Sequence, residues 1–448
     1  MRPSLAPTER GYPLVGVLPR LLRDPETYCA ALASKHGDVV RLNLGLFEAY
    51  MISHPDHVKQ VLQDNNQNYG KGKAWEAVRT AVGNSLPASD GAFWLRQRRV
   101  IQPAFHRKRL ANLAQLMVDV IRPRIDAWQG HADRNEPVDL YAETKRITRD
   151  VVIRTMFSTG LTPLESTELD DAVPTMMDGI GLLMWTAWMP KFLPVPGRGR
   201  VLRAVQTVDK AVYRVIDERR RHDKGEEDLL SMLLRARDEE TGEGMDDKQL
   251  HDEVIGMFIA GYEATSIALT WTWYALTQHP GAADQLAAEV ERTLGDRDPT
   301  FEDLQHLVLT RKIFEEAMRI YPPGWVIPRQ ALADDVIGGY PIPKGALILL
   351  CHGLTHRRPD CWEKPAEFDP EHFASDRVAQ RSRFAYLPFG GGPRQCIGNN
   401  FAMMEAQLIL SMAVRRFRLE LAAPVRRKAV HVVIRPDPTL SARLRPRA

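Results

Sequence analysis

Cysteine is scarce in this chain, with four residues in 448: Cys29, Cys351, Cys361 and Cys396. That is too few for a disulfide framework, and no CxxC pair or His/Cys cluster has zinc-site spacing. Charge of one sign is scarce too. Sixty Lys and Arg against 57 Asp and Glu leave a net charge of +3. That balance excludes wholesale nucleic-acid binding and makes any basic patch a local matter. No run reaches the roughly 20 predominantly apolar residues of a membrane span. The nearest, Val173 to Met189, is interrupted by Asp178 and Gly179. The opening residues, Met1 to Thr8, carry neither a signal-peptide pattern nor a membrane anchor. Repeats, low-complexity tracts and flexible linkers are also missing. The expectation is a cytoplasmic protein of a reducing compartment, with the 44% hydrophobic content of an ordinary globular chain.

The residues present give a helix-rich pattern. The first 65 residues alternate short pieces: a helix over Asp24 to His36, then a hairpin of Val39–Leu44 and Tyr50–Ser53 around Gly45. Another helix follows Pro55 and runs to about Leu62. From about residue 91 to 321 helices dominate, at 93–100, 110–128, 140–157, 200–221 and 228–236. Asp246 to His279 is the longest periodic run, roughly 50 Å at 1.5 Å per residue, and Pro280 closes it. Between Pro322 and Pro388, prolines and short apolar runs indicate small sheets and coil. The fold class is mainly α with a minor β part, read as one domain over residues 1–448.

One stretch carries chemistry on its own. Phe389-Gly390-Gly391-Gly392-Pro393-Arg394-Gln395-Cys396-Ile397-Gly398 is a glycine-rich turn delivering a cysteine to the start of an apolar helical segment. Unpaired N–H groups and the positive end of a helix stabilise a thiolate there. Glycines let the backbone approach a flat cofactor, and Arg394 can meet an anionic group on it. Taken alone, the same residues also suit a plain turn before a helix with an inert cysteine. The spacing resembles the haem-binding loop of the cytochrome P-450 family. The resemblance implies Cys396 as axial thiolate and iron ligand, with Phe389 and Gly398 flanking it.

Four further segments fall in that family's order. Glu316 and Arg319, three apart on one helix face, match its Glu-x-x-Arg pair. The usual arginine completing that pair is His372 here, in Pro370-Glu371-His372-Phe373. Trp94 and Arg98 match Trp-x-x-x-Arg, and with Arg329 and Arg394 the resemblance implies contacts to the haem propionates. Each arginine alone reads equally as solvated surface charge. Ala260-Gly261-Tyr262-Glu263-Ala264-Thr265 resembles the oxygen-activation segment, in which an acid and a threonine help deliver protons. This chain departs there. Ala264 stands at the first threonine position, and Thr265 lies about 100° further round the helix. Glu263 keeps the acid, which equally suits an ion pair with a neighbouring cation.

By family position the substrate would meet Trp75, Val78, Met184, Trp185, Phe258, Val326 and Thr439, each of which core packing explains as well. Basic residues 96, 98, 99 and 107–109 suggest a face for an acidic electron carrier. The resemblance implies a single triangular-prism-like domain with a long central helix and a haem b cofactor (iron protoporphyrin IX). It also implies O2 as oxidant, electrons from a ferredoxin or flavodoxin with its reductase, and a hydrophobic substrate of terpenoid, fatty acyl or polyketide type. No nucleic acid is involved. A peroxide-driven or oxidative-coupling enzyme, or a non-catalytic haem or ligand-binding protein, stays open as an alternative.

Overall fold

Local signals set the helix boundaries. Asp24, Asp139 and Asp246 each cap a helix start by accepting backbone N–H groups, so Pro25–His36, Leu140–Phe157 and Asp247–Gln278 begin where an acid precedes a periodic run. The computed structural model describes residues 4–9, 11–45, 47–158, 162–186, 195–221, 228–238, 240–430, 433–437 and 439–447. Asp247–Gln278 is the central helix. It packs against Leu140–Phe157, Arg198–Arg221, Val308–Ile320 and the late helix Asn399–Arg416. Against the expectation that no run is long and apolar enough to cross a membrane, this helix is, by length and composition, but its apolar window is 83% buried inside the protein, which marks a core helix. Trp128, from Arg107–Asp133, meets Trp273 edge-on at 6.4 Å, and both are fully buried.

The hairpin expected around Gly45 is present as Val39–Asn43 paired with Glu48–Ile52. The sheet it belongs to is larger than the first 65 residues. Glu48–Ile52 runs parallel to Leu347–Leu350, which pairs with Ile327–Ala331, which pairs with Tyr69–Gly70. The strand partners therefore come from both sides of the helical region, which no local pattern reveals. Besides the short helices Leu18–Arg23, His352–Thr355 and Ser375–Gln380, the longer helices Ala74–Val82, Pro163–Thr186 and Pro280–Leu294 were not expected. Pro280 ends the central helix and also opens the next, because proline suits the first helical turn. Four strands near the C-terminus, Phe417–Leu421, Arg426–Val430, Val433–Asp437 and Ser441–Pro446, were likewise not expected. The helix after Cys396 begins at Asn399, with Gly398 as its cap.

Candidate functional site

The Glu316–Arg319 pair is the anchor of the site. Both side chains are fully buried on Val308–Ile320, and the guanidinium donates to both carboxylate oxygens at 2.7 and 2.8 Å. Arg319 uses its remaining donors on the carbonyls of His356 (3.1 Å), Pro365 (2.7 Å) and Glu367 (2.8 Å). One Glu316 oxygen also accepts the Asp369 N–H at 2.8 Å and faces His372 Nδ1 at 3.0 Å. The other ring nitrogen of His372 lies 2.6 Å from the Glu363 carbonyl, which can only accept. Nε2 therefore donates, and a donor at Nδ1 as well requires a proton on both nitrogens. This histidine performs the bridging expected of an arginine at its position, while Arg381 covers the neighbouring Trp362 ring at 3.6 Å.

The cysteine loop closes on itself. Cys396 N–H donates to the Phe389 carbonyl at 2.9 Å, and Gly390 and Gly392 take left-handed backbone angles (φ 70° and 67°). Gly392 admits nothing larger, since an added Cβ would lie 1.9 Å from the Leu62 carbonyl oxygen. Among the four cysteines only Cys396 is exposed. Desolvation raises its thiol pKa above the usual value. The Gly398 N–H and the Arg98 charge oppose that rise. Arg98 was expected at a propionate. Here it donates to the Gln395 carbonyl at 2.6 Å, beside the cysteine.

A cluster of charge lies next to the loop. Arg394 spans the Trp94 ring at 4.2 Å, donates to the Ser89 carbonyl and pairs with Asp90. Arg329 is buried, and its one described hydrogen bond goes to its neighbour's carbonyl at 2.9 Å. Burial, then the like charge of Arg394, lowers it to about 10. Lys71, which sequence reasoning missed, is buried against Trp75 (3.6 Å to the ring) and donates to the Pro87 carbonyl. Desolvation first, then Arg329 and Arg394, hold its pKa well below the ordinary lysine range. Two guanidinium groups and this lysine thus gather around one carboxylate, Asp90, so cationic donors outnumber anions at the spot. Nothing in the Gly70-Lys71-Gly72 sequence marks that lysine.

On the central helix, Ala260 and Ala264 are exposed in the middle of an otherwise buried run, with Gly261 half-buried between them. Small side chains here leave a shallow open strip along the helix. Thr265 is buried and spends its hydroxyl on the Gly261 carbonyl at 3.0 Å, so it does not replace the missing threonine. Glu263 is buried and tied down, with Arg435 donating to it at 2.8 Å and Lys145 3.9 Å away. Arg435 also pairs with Asp178 at 2.5 Å. Its position in the late hairpin, 172 residues beyond Glu263, hid it from sequence reasoning.

The expected substrate contacts divide. Val78 and Trp75 are half-buried against the core, and the Trp75 face is taken by Lys71. Phe258 packs on Tyr262 at 5.5 Å, and Val326 is buried beside Trp325. Thr439 donates to Asp139 on the surface side. Met184 and Trp185 lie on Pro163–Thr186, their side chains outside the described residues, as are residues 187–194. The basic face is smaller than expected. Arg96 pairs with Glu243 and Arg99 with Asp238 and Glu240, leaving Arg107 and Lys108 exposed.

These features fit a haem. An exposed cysteine, a shallow strip on a buried helix and a cluster of cationic donors around a single carboxylate answer an iron ligand, a flat ring and two carboxylates. Comparison with known proteins agrees. Residues 6–439 match the family profile described as Cytochrome P450. Cyclooctatin synthase of Streptomyces melanosporofaciens is 35% identical over 96% of this chain and 92% of its own length. Pentalenene oxygenase of Streptomyces avermitilis is 32% identical over 95% and 94%. The crystal structure of the cytochrome P450DA heme domain superposes with a TM-score of 0.89 at 28% identity, covering 100% of this chain and 98% of that one. The chain belongs to the cytochrome P450 family and is a monooxygenase, a haem-thiolate oxidoreductase that incorporates oxygen.

Proposed function

We propose that Cys396 supplies the thiolate ligand, that Arg394, Arg329, Lys71 and Trp94 hold the haem carboxylates, and that the substrate is a terpenoid hydrocarbon or alcohol. The haem is taken to be iron protoporphyrin IX. When bound, it supplies reductive cleavage of dioxygen and insertion of one oxygen atom into a C–H bond, with thiolate donation favouring that cleavage. The chain's own residues do the rest. The loop 389–396 orients the sulfur, Ala260 and Ala264 leave room beside the ring, and Glu263 holds a carboxylate between Arg435 and Lys145. Electrons come from separate proteins, a ferredoxin or flavodoxin with its reductase, docking near Arg107 and Lys108.

The observation that carries this reading is the exposed Cys396 on a loop braced by the buried Glu316–Arg319 pair. The substrate class follows from the names of the relatives, pentalenene oxygenase and cyclooctat-9-en-7-ol 5-monooxygenase. The test has two arms. Cys396→Ser should abolish the thiolate-type spectrum of the reduced carbon-monoxide complex, and a persisting band would overturn the ligand assignment. Cyclic terpene hydrocarbons and alcohols, titrated into ferric protein, should displace the water ligand where fatty acids and macrolides do not. One observation favours a second reading. The ion-paired Glu263 beside Ala264 suits a peroxide-driven reaction, which turnover on hydrogen peroxide without reductant would reveal.

A further inference from the structure

Between the buried ion pair and the cysteine loop stands one imidazole. His356 caps the short helix His352–Thr355 and is fully buried. Its Nε2 takes the backbone N–H of Leu387 at 2.8 Å. An amide N–H only donates, so Nε2 presents a lone pair and the ring proton sits on Nδ1. The backbone carbonyl of the same residue accepts from Arg319 at 3.1 Å. His356 is thus joined to the ion pair through its main chain and to the loop through its side chain.

The path continues without a gap. Gly390 N–H donates to the Leu387 carbonyl at 3.1 Å, and Cys396 N–H donates to the Phe389 carbonyl at 2.9 Å. Tyr386, next to Leu387, stacks obliquely on the imidazole at 5.3 Å and anchors its hydroxyl on the Glu315 carbonyl at 2.8 Å. We infer that His356 is a positioning residue, whose neutral imidazole accepts the Leu387 amide proton and so fixes the register of the loop that presents the Cys396 sulfur. The inference rests on the reading of Cys396 as the haem ligand. Nothing in the loop itself supplies this acceptor, and an apolar side chain of equal bulk would leave the buried Leu387 N–H unpaired.

The surroundings keep the ring uncharged. Desolvation is the main cause, and the positive or potentially positive neighbours His352, Arg357 and Arg319 add to it, so the His356 pKa lies well below the usual 6.5. The Arg319 carbonyl pulls weakly the other way. His352, whose ring lies 5.4 Å off, is itself lowered to about 4 by burial and stays neutral through the range in which the test is run. From the loop, Tyr386 faces the ring as a neutral phenol, its pKa raised by burial.

The test compares His356→Gln, whose amide oxygen can accept, with His356→Leu, which has similar bulk and no acceptor. Purified holoproteins are followed by hydrogen–deuterium exchange of the peptide 384–396 and by the reduced carbon-monoxide spectrum. The Leu protein should exchange this peptide about ten-fold faster than wild type and lose the thiolate-type band, while Gln keeps both within about three-fold. Equal exchange in the two variants, with the band intact, overturns the inference alone. A wild type that lacks the band sinks the Cys396 reading and leaves the exchange comparison standing. If the Leu protein takes up no haem, wild type and His356→Gln decide. Because the ring is held neutral, acidification from about pH 7 to pH 6 should leave the wild-type peptide as protected as the Gln peptide, after correction for intrinsic exchange. Loss of protection in the wild type alone over that range overturns the assignment of a neutral acceptor.

Discussion

Single residues decide the chemistry where this chain departs from the oxygen-activation motif it otherwise resembles. Ala264 removes a hydroxyl from the open strip of the central helix, and Thr265 turns away to the Gly261 carbonyl. Ala264→Thr should leave haem content and the carbon-monoxide spectrum unchanged and shift the ratio of product to hydrogen peroxide formed per electron pair. An unaltered ratio would show that proton delivery bypasses position 264. Lys71 offers a second case. Its buried amine stands with Arg329 and Arg394 around Asp90, where an arriving carboxylate would favour its protonated form, so Lys71→Met should weaken haem retention about ten-fold, measured by transfer to an apoglobin acceptor. Legibility at this scale was uneven. Cys396, Glu316 and Arg319 could be read because their spacing is short and their chemistry specific. Lys71, His356 and Arg435 could not, because each acquires its role from neighbours beyond any local pattern, such as Leu387, 31 residues from His356, and Glu263, 172 residues from Arg435, or from burial.

Elements set how firmly those residues are held. Val308–Ile320 carries the pair that braces the cysteine loop, and removing one partner leaves an unpaired buried charge. Arg319→Leu should cost about 3–5 kcal/mol in denaturant unfolding, with most of the protein recovered free of haem. His372→Arg tests the same brace from the other side. A guanidinium can donate to both the Glu316 carboxylate and the Glu363 carbonyl that the imidazole now bridges, so this variant should lose haem no faster than wild type, measured by transfer to an apoglobin acceptor. The central helix holds a further buried carboxyl. Glu253 accepts the Leu86 N–H at 2.8 Å, and burial raises its pKa to about 8. A carboxyl raised in the folded state contributes least cost below its unfolded value of about 4.5, and that cost grows as pH climbs towards 8. Glu253→Gln should therefore match wild type in melting temperature near pH 4.5 and exceed it at pH 8. Periodicity and capping acids gave helix positions within a few residues for Leu140–Phe157 and the central helix. Pro163–Thr186 escaped because its apolar face is broad and Pro174 interrupts the pattern.

At the scale of the whole molecule, sequence order and spatial order part company. Strands at 39–52 share a sheet with strands at 327–350, and Glu26 pairs with both Arg357 and Arg427. No local signal encodes such pairings, which is why the hairpin at 39–53 and the short strands after Pro322 read as separate pieces from sequence alone. We expect one cooperative unfolding transition, with fluorescence and circular dichroism coinciding, and no independent folding of the first 65 residues. The crowd of Lys71, Arg329 and Arg394 around Asp90 bears on the life of the chain in a cell. A newly made polypeptide meets mutual repulsion at that spot until a dianionic partner arrives, so cellular abundance of the enzyme should follow porphyrin supply. Starved cells would clear it by proteolysis, however actively the gene is read.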